Sequence, residues 1–333
     1  MPAVAVVSYR LGRTDGVSVE AAKWIGALRE LDVDVFTVAG DGTADVIHPG
    51  LAFDAPDDVD PPTIEVLRTT FRDADVVIAE NICSLPMNPR ASRAVAEALR
   101  DRPAVLRHHD VAWQRDRFAS WAEPVPTDDY WKHVCINALT QTQMAERGVT
   151  ADLIYNHFDL TRTGNAAAAR AAIGVGGLLV LQPTRAIARK NIPESIKLAE
   201  QLGATFWMAG PAEEEYGPTL DALLADANVP VVRGMPDGID IADAYEACDV
   251  VAFPSKWEGF GNPTIESAVH RKPLVVGHYP VLDELRDFGF HWYDRSDLLL
   301  DDYAALEHNA EIAERYFDLR DLPSRLRRVV LGD

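Results

Sequence analysis

The sequence predicts an α/β protein with two facing Rossmann-like domains, each built on a parallel β-sheet. The chain has 333 residues, more than a typical single domain of about 100 to 200 residues. Short apolar segments alternate with amphipathic helical patterns, which is typical of βαβ units. One Ala-rich, Gly-punctuated segment between Asn165 and Gly177 interrupts this alternation. The interruption divides the predicted strands into two sets.

Six strands are predicted in each set. The first set begins at Val4, Val33, Asp75, Ala104, His133 and Ala151, and the second at Leu178, Ala204, Val229, Asp249, Pro273 and Phe290. We place the connection near residues 158–172, which gives domains at 1–160 and 161–315. Residues 316–333 are predicted as a C-terminal helix. Its packing partner stays open between the two domains, with a return to the N-terminal one as the candidate.

Composition excludes several classes of function. A formal net charge of −20 argues against nucleic acid and anionic membrane surfaces, since both require clustered Lys and Arg. No apolar run approaches the ~18 residues that span a bilayer, and the opening residues lack the basic region of a secretory signal. We expect a cytoplasmic protein without stable membrane insertion. The three cysteines are widely spaced and indicate neither a disulfide framework nor a thiolate metal site.

A glycine-rich turn precedes the helix predicted after the strand at Asp249. Gly259 and Gly261 let a ligand approach the backbone closely, Asn262 suits the N-cap, and Pro263 suits the first helical position. Free N–H groups up to Thr264 and the helix dipole attract an anion. The turn therefore predicts a phosphate site.

Two carboxylates flank this turn. Glu258 and Glu266 would be repelled by a phosphate, so we expect each to bind hydroxyl groups on either side of it. The alternative is that Glu266 only complements the helix dipole and Glu258 is solvated.

Two cations follow the first strand of the second set, at the same end of the sheet. Arg185 and Lys190 are placed to hold a diphosphate on the turn, the arginine by its fork and the lysine as a point charge. The alternative is simple exposure at the start of a helix, although the dipole disfavours cations there.

Together, the E-x7-E pattern of Glu258 and Glu266, the R-x4-K pattern of Arg185 and Lys190, and YNHFD at 155–159 resemble the retaining glycosyltransferases of family 4. The resemblance implies the GT-B fold, with the sugar nucleotide held mainly by the C-terminal domain and the acceptor by the N-terminal one. It implies that Glu258 contacts donor-sugar hydroxyls and Glu266 the ribose, with Arg185 and Lys190 on the diphosphate. Asn191 stands where the family often has glycine, which leaves that loop's shape open.

The resemblance also assigns residues after the first and fourth strands. Gly12 and Gly16 form a flexible turn across from the diphosphate, without a G-x-G-x-x-G dinucleotide fingerprint. Adjacent side chains point opposite ways, so one of His108 and His109 faces the cleft, and we choose His109 for the donor hexose. A structural or metal-bound histidine is the alternative. The donor set comprises Gly12, Gly16, Gly259, Phe260, Gly261, Asn262, Pro263, Thr264 and Glu266.

The segment after His109 is similar to family members that act on small acceptors of the glyceric-acid type. It implies acceptor residues at Asp110, Trp113, Gln114, Arg115 and Arg117. The ligand of the acceptor carboxylate stays open among Arg115, Arg117, Arg10 and Arg13. The aromatic could equally belong to the core.

The implied activity is retaining transfer of a hexose from a nucleotide-diphosphate sugar, UDP- or GDP-hexose, to a hydroxyl of a small soluble acceptor. The leaving phosphate assists, without an enzyme nucleophile, and the catalytic candidates are His109, Arg185, Lys190 and Glu258. No metal site and no cofactor are expected; Mg²⁺ arriving with the donor diphosphate stays open. The alternatives are a sugar-nucleotide epimerase, a phosphorylase, and a non-catalytic two-lobed sugar or sugar-nucleotide binding protein.

Overall fold

The computed structural model describes residues 1–118 and 120–332. They form two compact units, one of residues 1–157 with the residues from 319 onward, the other of Phe158–Asp318. The sequence placed the boundary at 160 and began the C-terminal helix at 316.

The strands and helices alternate along both units. The strands are β1 (Ala3–Leu11), β2 (Asp34–Gly42), β3 (Val46–Ile47), β4 (Val76–Glu80), β5 (Ala104–His108), β6 (Trp131–Cys135), β7 (Ala151–Leu153), β8 (Leu179–Gln182), β9 (Thr205–Met208), β10 (Val231–Arg233), β11 (Val250–Phe253) and β12 (Leu274–Val276). The α-helices are α1 (Gly16–Glu30), α2 (Ile64–Thr70), α3 (Pro89–Ala98), α4 (Ala138–Glu146), α5 (Ala166–Ile173), α6 (Ile192–Leu202), α7 (Gly217–Ala225), α8 (Ile241–Ala247), α9 (Asn262–Val269), α10 (Pro280–Arg286), α11 (Tyr303–Phe317) and α12 (Leu322–Leu326). Short 3-10 turns lie at Pro49–Leu51, Ala112–Gln114, Asp116–Phe118, Ala188–Lys190 and Leu319–Asp321, and a π-helical turn at Arg327–Leu331.

The first unit contains a seven-stranded parallel sheet in the order β3-β2-β1-β4-β5-β6-β7. Its strands are nearly continuous apolar runs, as expected where helices cover both faces. Trp24 of α1 and Val4 of β1 belong to one core cluster, which also contains Leu322 and Leu326. Helix α12 is therefore part of the core of this unit. The order of the strands reverses between β1 and β4.

The second unit contains a five-stranded parallel sheet in the order β10-β9-β8-β11-β12. The order of its strands reverses between β8 and β11, which makes this the topological switch point of the sheet. Open α/β sheets bind ligands at such a point, outside the carboxyl ends of the strands. The predicted strand at Phe290 is wrong: only an isolated bridge between Val275 and Tyr293 forms there. The two-residue strand β3 was not predicted.

Two glycines bring neighbouring loops of the second unit into direct contact. A Cβ on Gly210 would collide with the backbone of Thr184, and one on Gly277 with the backbone of Ser255. The loops after β9 and β12 therefore pack on the loops after β8 and β11. Over residues 1–118 and 120–332, none of the helices has the length and apolarity needed to cross a membrane.

Candidate functional site

One predicted cation, Lys190, and one predicted carboxylate, Glu258, come together in the second unit. Lys190 follows β8, Glu258 follows β11, and these strands are neighbours in the sheet. Their side chains form an ion pair in which Lys190 Nζ lies 2.6 Å from Glu258 Oε1. Arg189 joins the cluster, with its Nη1 2.9 Å from Glu258 Oε2. The switch point of this sheet thus carries two cations around one carboxylate, a net positive charge.

Backbone hydrogen bonds tie the two loops together. The N–H of Lys256 donates to the carbonyl of Arg189 at 2.9 Å. The Arg189 guanidinium donates to the carbonyl of Trp257 at 2.7 Å. Lys190 is consequently held against Glu258 by main chain as well as by charge.

Burial strongly affects the pKa of both members of the pair. Loss of hydration lowers the pKa of Lys190 to about 8, against the opposing influence of the Glu258 carboxylate. Burial alone would raise the pKa of Glu258, but Arg189 and Lys190 overcome this and lower it to about 2. At neutral pH both groups are charged, and the lysine is the one close to titration.

Arg185 lies outside this ion pair. Its guanidinium binds the Glu213 carboxylate, with 2.5 Å between Nη1 and Oε2, although its charge still contributes to lowering the pKa of Lys190. Glu213 lies in the loop that follows β9. The sequence missed Arg189 and Glu213: the R-x4-K spacing selects Arg185 and Lys190, and only the adjacency of Arg189 to Lys190 signals a third cation.

The turn before α9 differs in two details from its predicted form. Gly261, not Asn262, is the N-cap; its φ is 97°, and a Cβ there would collide with Tyr279 Oη, so only glycine fits. Asn262 is the first helical residue and Pro263 follows it. The N–H of Thr264 is not free for an anion, because it donates to the Gly261 carbonyl at 2.9 Å, as the Thr264 hydroxyl does at 2.8 Å.

The two residues before Gly261 differ in exposure. Gly259 is half-buried. Phe260 is buried, with its ring centroid 6.2 Å from that of Phe158 and 6.0 Å from that of Phe317. Phe260 therefore anchors the turn in the core.

Glu266 is held in place by a side chain that the sequence did not indicate. Tyr245 Oη donates to Glu266 Oε2 at 2.7 Å, and the tyrosine ring stacks on His270 with 5.1 Å between centroids. His270 in turn contacts Glu246, with 2.8 Å between Nδ1 and Oε1. A tyrosine on one helix and a glutamate on another have no sequence spacing that would link them.

His109 lies in the first unit, after β5. The ring Nε2 of His109 is 2.8 Å from Glu80 Oε2. The backbone N–H of His109 donates to Asn81 Oδ1 at 3.0 Å. Glu80 is fully buried at the end of β4 and also accepts from Arg107 Nη1 at 3.2 Å. Burial would raise the pKa of Glu80, but Arg107 and His109 lower it. A buried carboxylate therefore fixes His109.

His108 points into the core on the opposite side. Its ring lies between Ser84 Oγ at 2.7 Å and His133 Nδ1 at 2.9 Å, and burial lowers its pKa. The residues that the structure describes contain no group of three or more His, Cys, Asp or Glu side chains placed to hold a metal ion.

The remaining predicted residues of the first unit lie in two loops. Gly12, with φ 67°, follows β1, and Gly16 begins α1. After His109, Asp110 and Arg115 form an ion pair at 3.3 Å. Trp113 and Gln114 lie toward α4, where Trp113 Nε1 and Gln114 Nε2 each donate to Gln143 Oε1 at 2.8 Å.

Comparison with known proteins agrees with this arrangement. Residues 185–309 match the sequence family described as Glycosyl transferases group 1, a stretch that contains Arg185, Lys190, Glu258 and Glu266. A mannosylglucosylglycerate synthase of Petrotoga mobilis is 25% identical, over 98% of this chain and 96% of the relative. A mannosylglucosylglycerate synthase of Thermotoga maritima is 23% identical, over 98% of this chain and 99% of the relative.

Solved structures resemble the whole chain. Anabaena HepE in complex with UDP-glucose has a TM-score of 0.75 at 18% identity, covering 99% of this chain and 100% of that one. Sucrose-phosphate synthase of Thermosynechococcus elongatus has a TM-score of 0.71 at 14% identity, covering 100% and 99%. These likenesses confirm the predicted GT-B fold. The chain is therefore a glycosyltransferase with the GT-B fold, and its residues 185–309 match the glycosyl transferases group 1 family.

Proposed function

We propose that this glycosyltransferase moves a hexose from UDP- or GDP-hexose to a hydroxyl of a small acid of the glycerate type, with retention at the anomeric carbon. The observation that carries the proposal is the pair of cations, Arg189 and Lys190, gathered around Glu258 at the switch point of the second sheet. Nucleotide-sugar donors agree with the UDP and UDP-glucose bound in HepE.

The cation cluster suits the departure of a nucleoside diphosphate. As the bond from the anomeric carbon to the phosphate oxygen breaks, negative charge grows on that oxygen. Lys190 and Arg189, with Arg185 nearby, would stabilise this charge. Because Lys190 and Glu258 are buried, water is partly excluded from the site and these charges act more strongly there. The acceptor oxygen forms its bond on the same face, and its proton passes to the leaving phosphate. No enzyme nucleophile is needed.

The carboxylates suit the hydroxyl groups at either end of the donor. We assign Glu258 to the hexose and Glu266 to the ribose, since charged acceptors bind hydroxyl donors strongly. His109, oriented by Glu80, is kept as a further hexose ligand. We propose that no protein-bound metal takes part and that any Mg²⁺ enters with the diphosphate.

The acceptor proposal rests on the names of the two synthases and on Arg115. Arg115 lies 3.3 Å from Asp110, so a carboxylate on the acceptor would compete with Asp110 for the same guanidinium. A glycerate moiety provides that carboxylate together with hydroxyl groups.

A transfer assay tests the proposal. UDP-, GDP-, ADP- and dTDP-hexoses should be paired with D-glycerate, with a glucosylglycerate, and with glycerol as the uncharged control. We expect transfer to an acid acceptor and an anomeric configuration equal to that of the donor, read by NMR. An inverted product would contradict retention. Donor binding without transfer would indicate a binding protein, and interconversion of the free donor an epimerase.

The pKa of Lys190 predicts an alkaline loss of activity. kcat/KM reports the free enzyme, so it should fall about tenfold per pH unit above pH ~8, where the ammonium loses its proton. Lys190→Arg should remove this limb, because arginine stays protonated. An unchanged limb in that variant would assign it to another group.

The same pKa has the opposite effect on stability. In the unfolded chain the pKa of Lys190 has its usual value of 10.5, so between about pH 8 and 10.5 the unfolded state binds more protons than the folded state. Folding stability therefore rises with pH across this window. Activity and stability should therefore diverge in this window, which thermal unfolding across the same pH series measures.

Tyr245→Phe tests the positioning of Glu266. Losing the hydrogen bond to Glu266 Oε2 should raise the KM for the donor about three- to tenfold with little change in kcat, in line with the 0.5–1.5 kcal/mol of one hydrogen bond. Tyr293→Phe is the control, since its hydroxyl bonds to Asp302, away from the turn. Equal effects of the two substitutions would refute a positioning role.

A further inference from the structure

A cavity lies in the same unit as the Lys190–Glu258 pair. It measures about 240 Å³ and opens between the first turns of α6 and the carboxyl ends of β11 and β12. Leu198, Ala252, Val275 and Val276 give it an apolar lining. One water in the liquid occupies ~30 Å³, so the cavity accommodates a small molecule and not only a single solvent site.

Cations outnumber anions around this cavity. Lys256 and Arg295 line it, opposed by the single carboxylate of Glu194. Glu194 is already compensated by Lys197, at 2.6 Å, and lies 3.7 Å from Arg295. Lys256 is exposed, and its ammonium forms no ion pair within the part of the chain that the structure describes. A net positive charge is therefore available to a ligand.

Two further polar residues belong to the lining, the buried Ser255 and the half-buried Asn191. The Ser255 hydroxyl is buried and helps to lower the pKa of the Glu258 carboxylate, although no hydrogen bond of good geometry joins the two. Asn191 has a φ of 55° at the start of α6, and its side chain does not cap the helix. A buried hydroxyl usually has a hydrogen-bond partner of good geometry, and a bound molecule would supply one to Ser255.

The cavity is not the ion-pair site, although the two share backbone. Neither Lys190 nor Glu258 lines it; their neighbours Asn191 and Lys256 do. The N–H of Lys256 bonds to the carbonyl of Arg189, so Lys256 belongs to both regions. We propose that this cavity binds a compact organic anion, a phosphate or carboxylate on a small apolar or hydroxylated body, and that its occupancy alters nucleotide affinity through the loop of Lys256. This goes beyond the proposed transfer reaction and does not depend on its acceptor.

Calorimetric titration of the full chain, saturated with UDP, tests the proposal. The probes are inorganic phosphate, glycerol 3-phosphate and D-glycerate, which separate the phosphate from the carboxylate. We expect saturable binding of at least one probe to the wild type. The double variant Lys256→Gln/Arg295→Gln should bind it at least about tenfold more weakly, since hydrogen bonds to charged groups contribute about 1.5–3 kcal/mol.

Arg271→Gln is the matched control, because Arg271 is a similarly exposed arginine of this unit that pairs with Glu307 and does not line the cavity. Equal binding in the double variant and in the wild type, or no saturable binding of any probe, would each overturn the site. An unchanged affinity for UDP at saturating anion would overturn the coupling. Failure of the proposed transfer reaction has a different signature from failure of the cavity proposal. In that case the wild type would show no UDP binding or no transfer.

Discussion

Lys190→Met should lower kcat/KM for the nucleotide-sugar donor about 10²- to 10³-fold, the effect typical of removing one group that stabilises developing negative charge. Methionine has a similar length and no charge, so it removes the ammonium from Glu258 Oε1 and from the leaving phosphate together. Arg189 still pairs with Glu258, which limits the damage to the fold. Steady-state kinetics with a varied donor measure the loss.

Lys197→Met is the control for this substitution. Lys197 lies on α6, seven residues further along, and forms an exposed pair with Glu194. Exposed pairs contribute little, so the control should keep its activity and its melting temperature. Wild-type turnover by a folded Lys190→Met variant would refute the proposed role of the cluster.

The sequence predicted which strands bring Lys190 and Glu258 to one end of a sheet, because parallel βαβ order is encoded in local apolar runs and turns. It could not predict that the two side chains neutralise each other. Ion pairing depends on a distance across neighbouring strands, and residues 68 positions apart carry no local signal of it. Arg189 and Tyr245 were missed for the same reason.

The two errors in the turn have a local cause. Asn262 is a good N-cap residue by propensity, but the clash that a Cβ at 261 would make with Tyr279 fixes a left-handed glycine there, and this moves the cap by one position. Tertiary packing overrides propensity at this position. The predicted strand at Phe290 fails similarly, since an apolar run does not reveal whether a sheet edge has room for another strand.

Arg107→Met should destabilise the first unit by about 3–5 kcal/mol, the cost of leaving a buried charge without its partner. Arg107 is fully buried, donates to Glu80 and to Asn156, and stacks over the Trp24 ring at 4.2 Å. Methionine fills much of the volume but leaves His109 as the one side-chain partner of the Glu80 carboxylate within residues 1–118 and 120–332. Urea unfolding followed by tryptophan fluorescence measures the loss.

The pH dependence identifies the cause. In the wild type the pKa of Glu80 is lowered, so its contribution to stability is present above the unfolded value of ~4.5 and disappears as the pH falls below it. Without Arg107, burial dominates and the pKa of Glu80 rises, so protonation relieves the buried charge. The destabilisation should therefore shrink between pH 7 and 5. Arg102→Met is the control: Arg102 donates to the carbonyls of Phe71 and Ala74 and pairs with no carboxylate of the described residues, so its smaller loss should be independent of pH. A pH-independent loss in Arg107→Met would mean that packing on Trp24, and not charge, is what this arginine contributes.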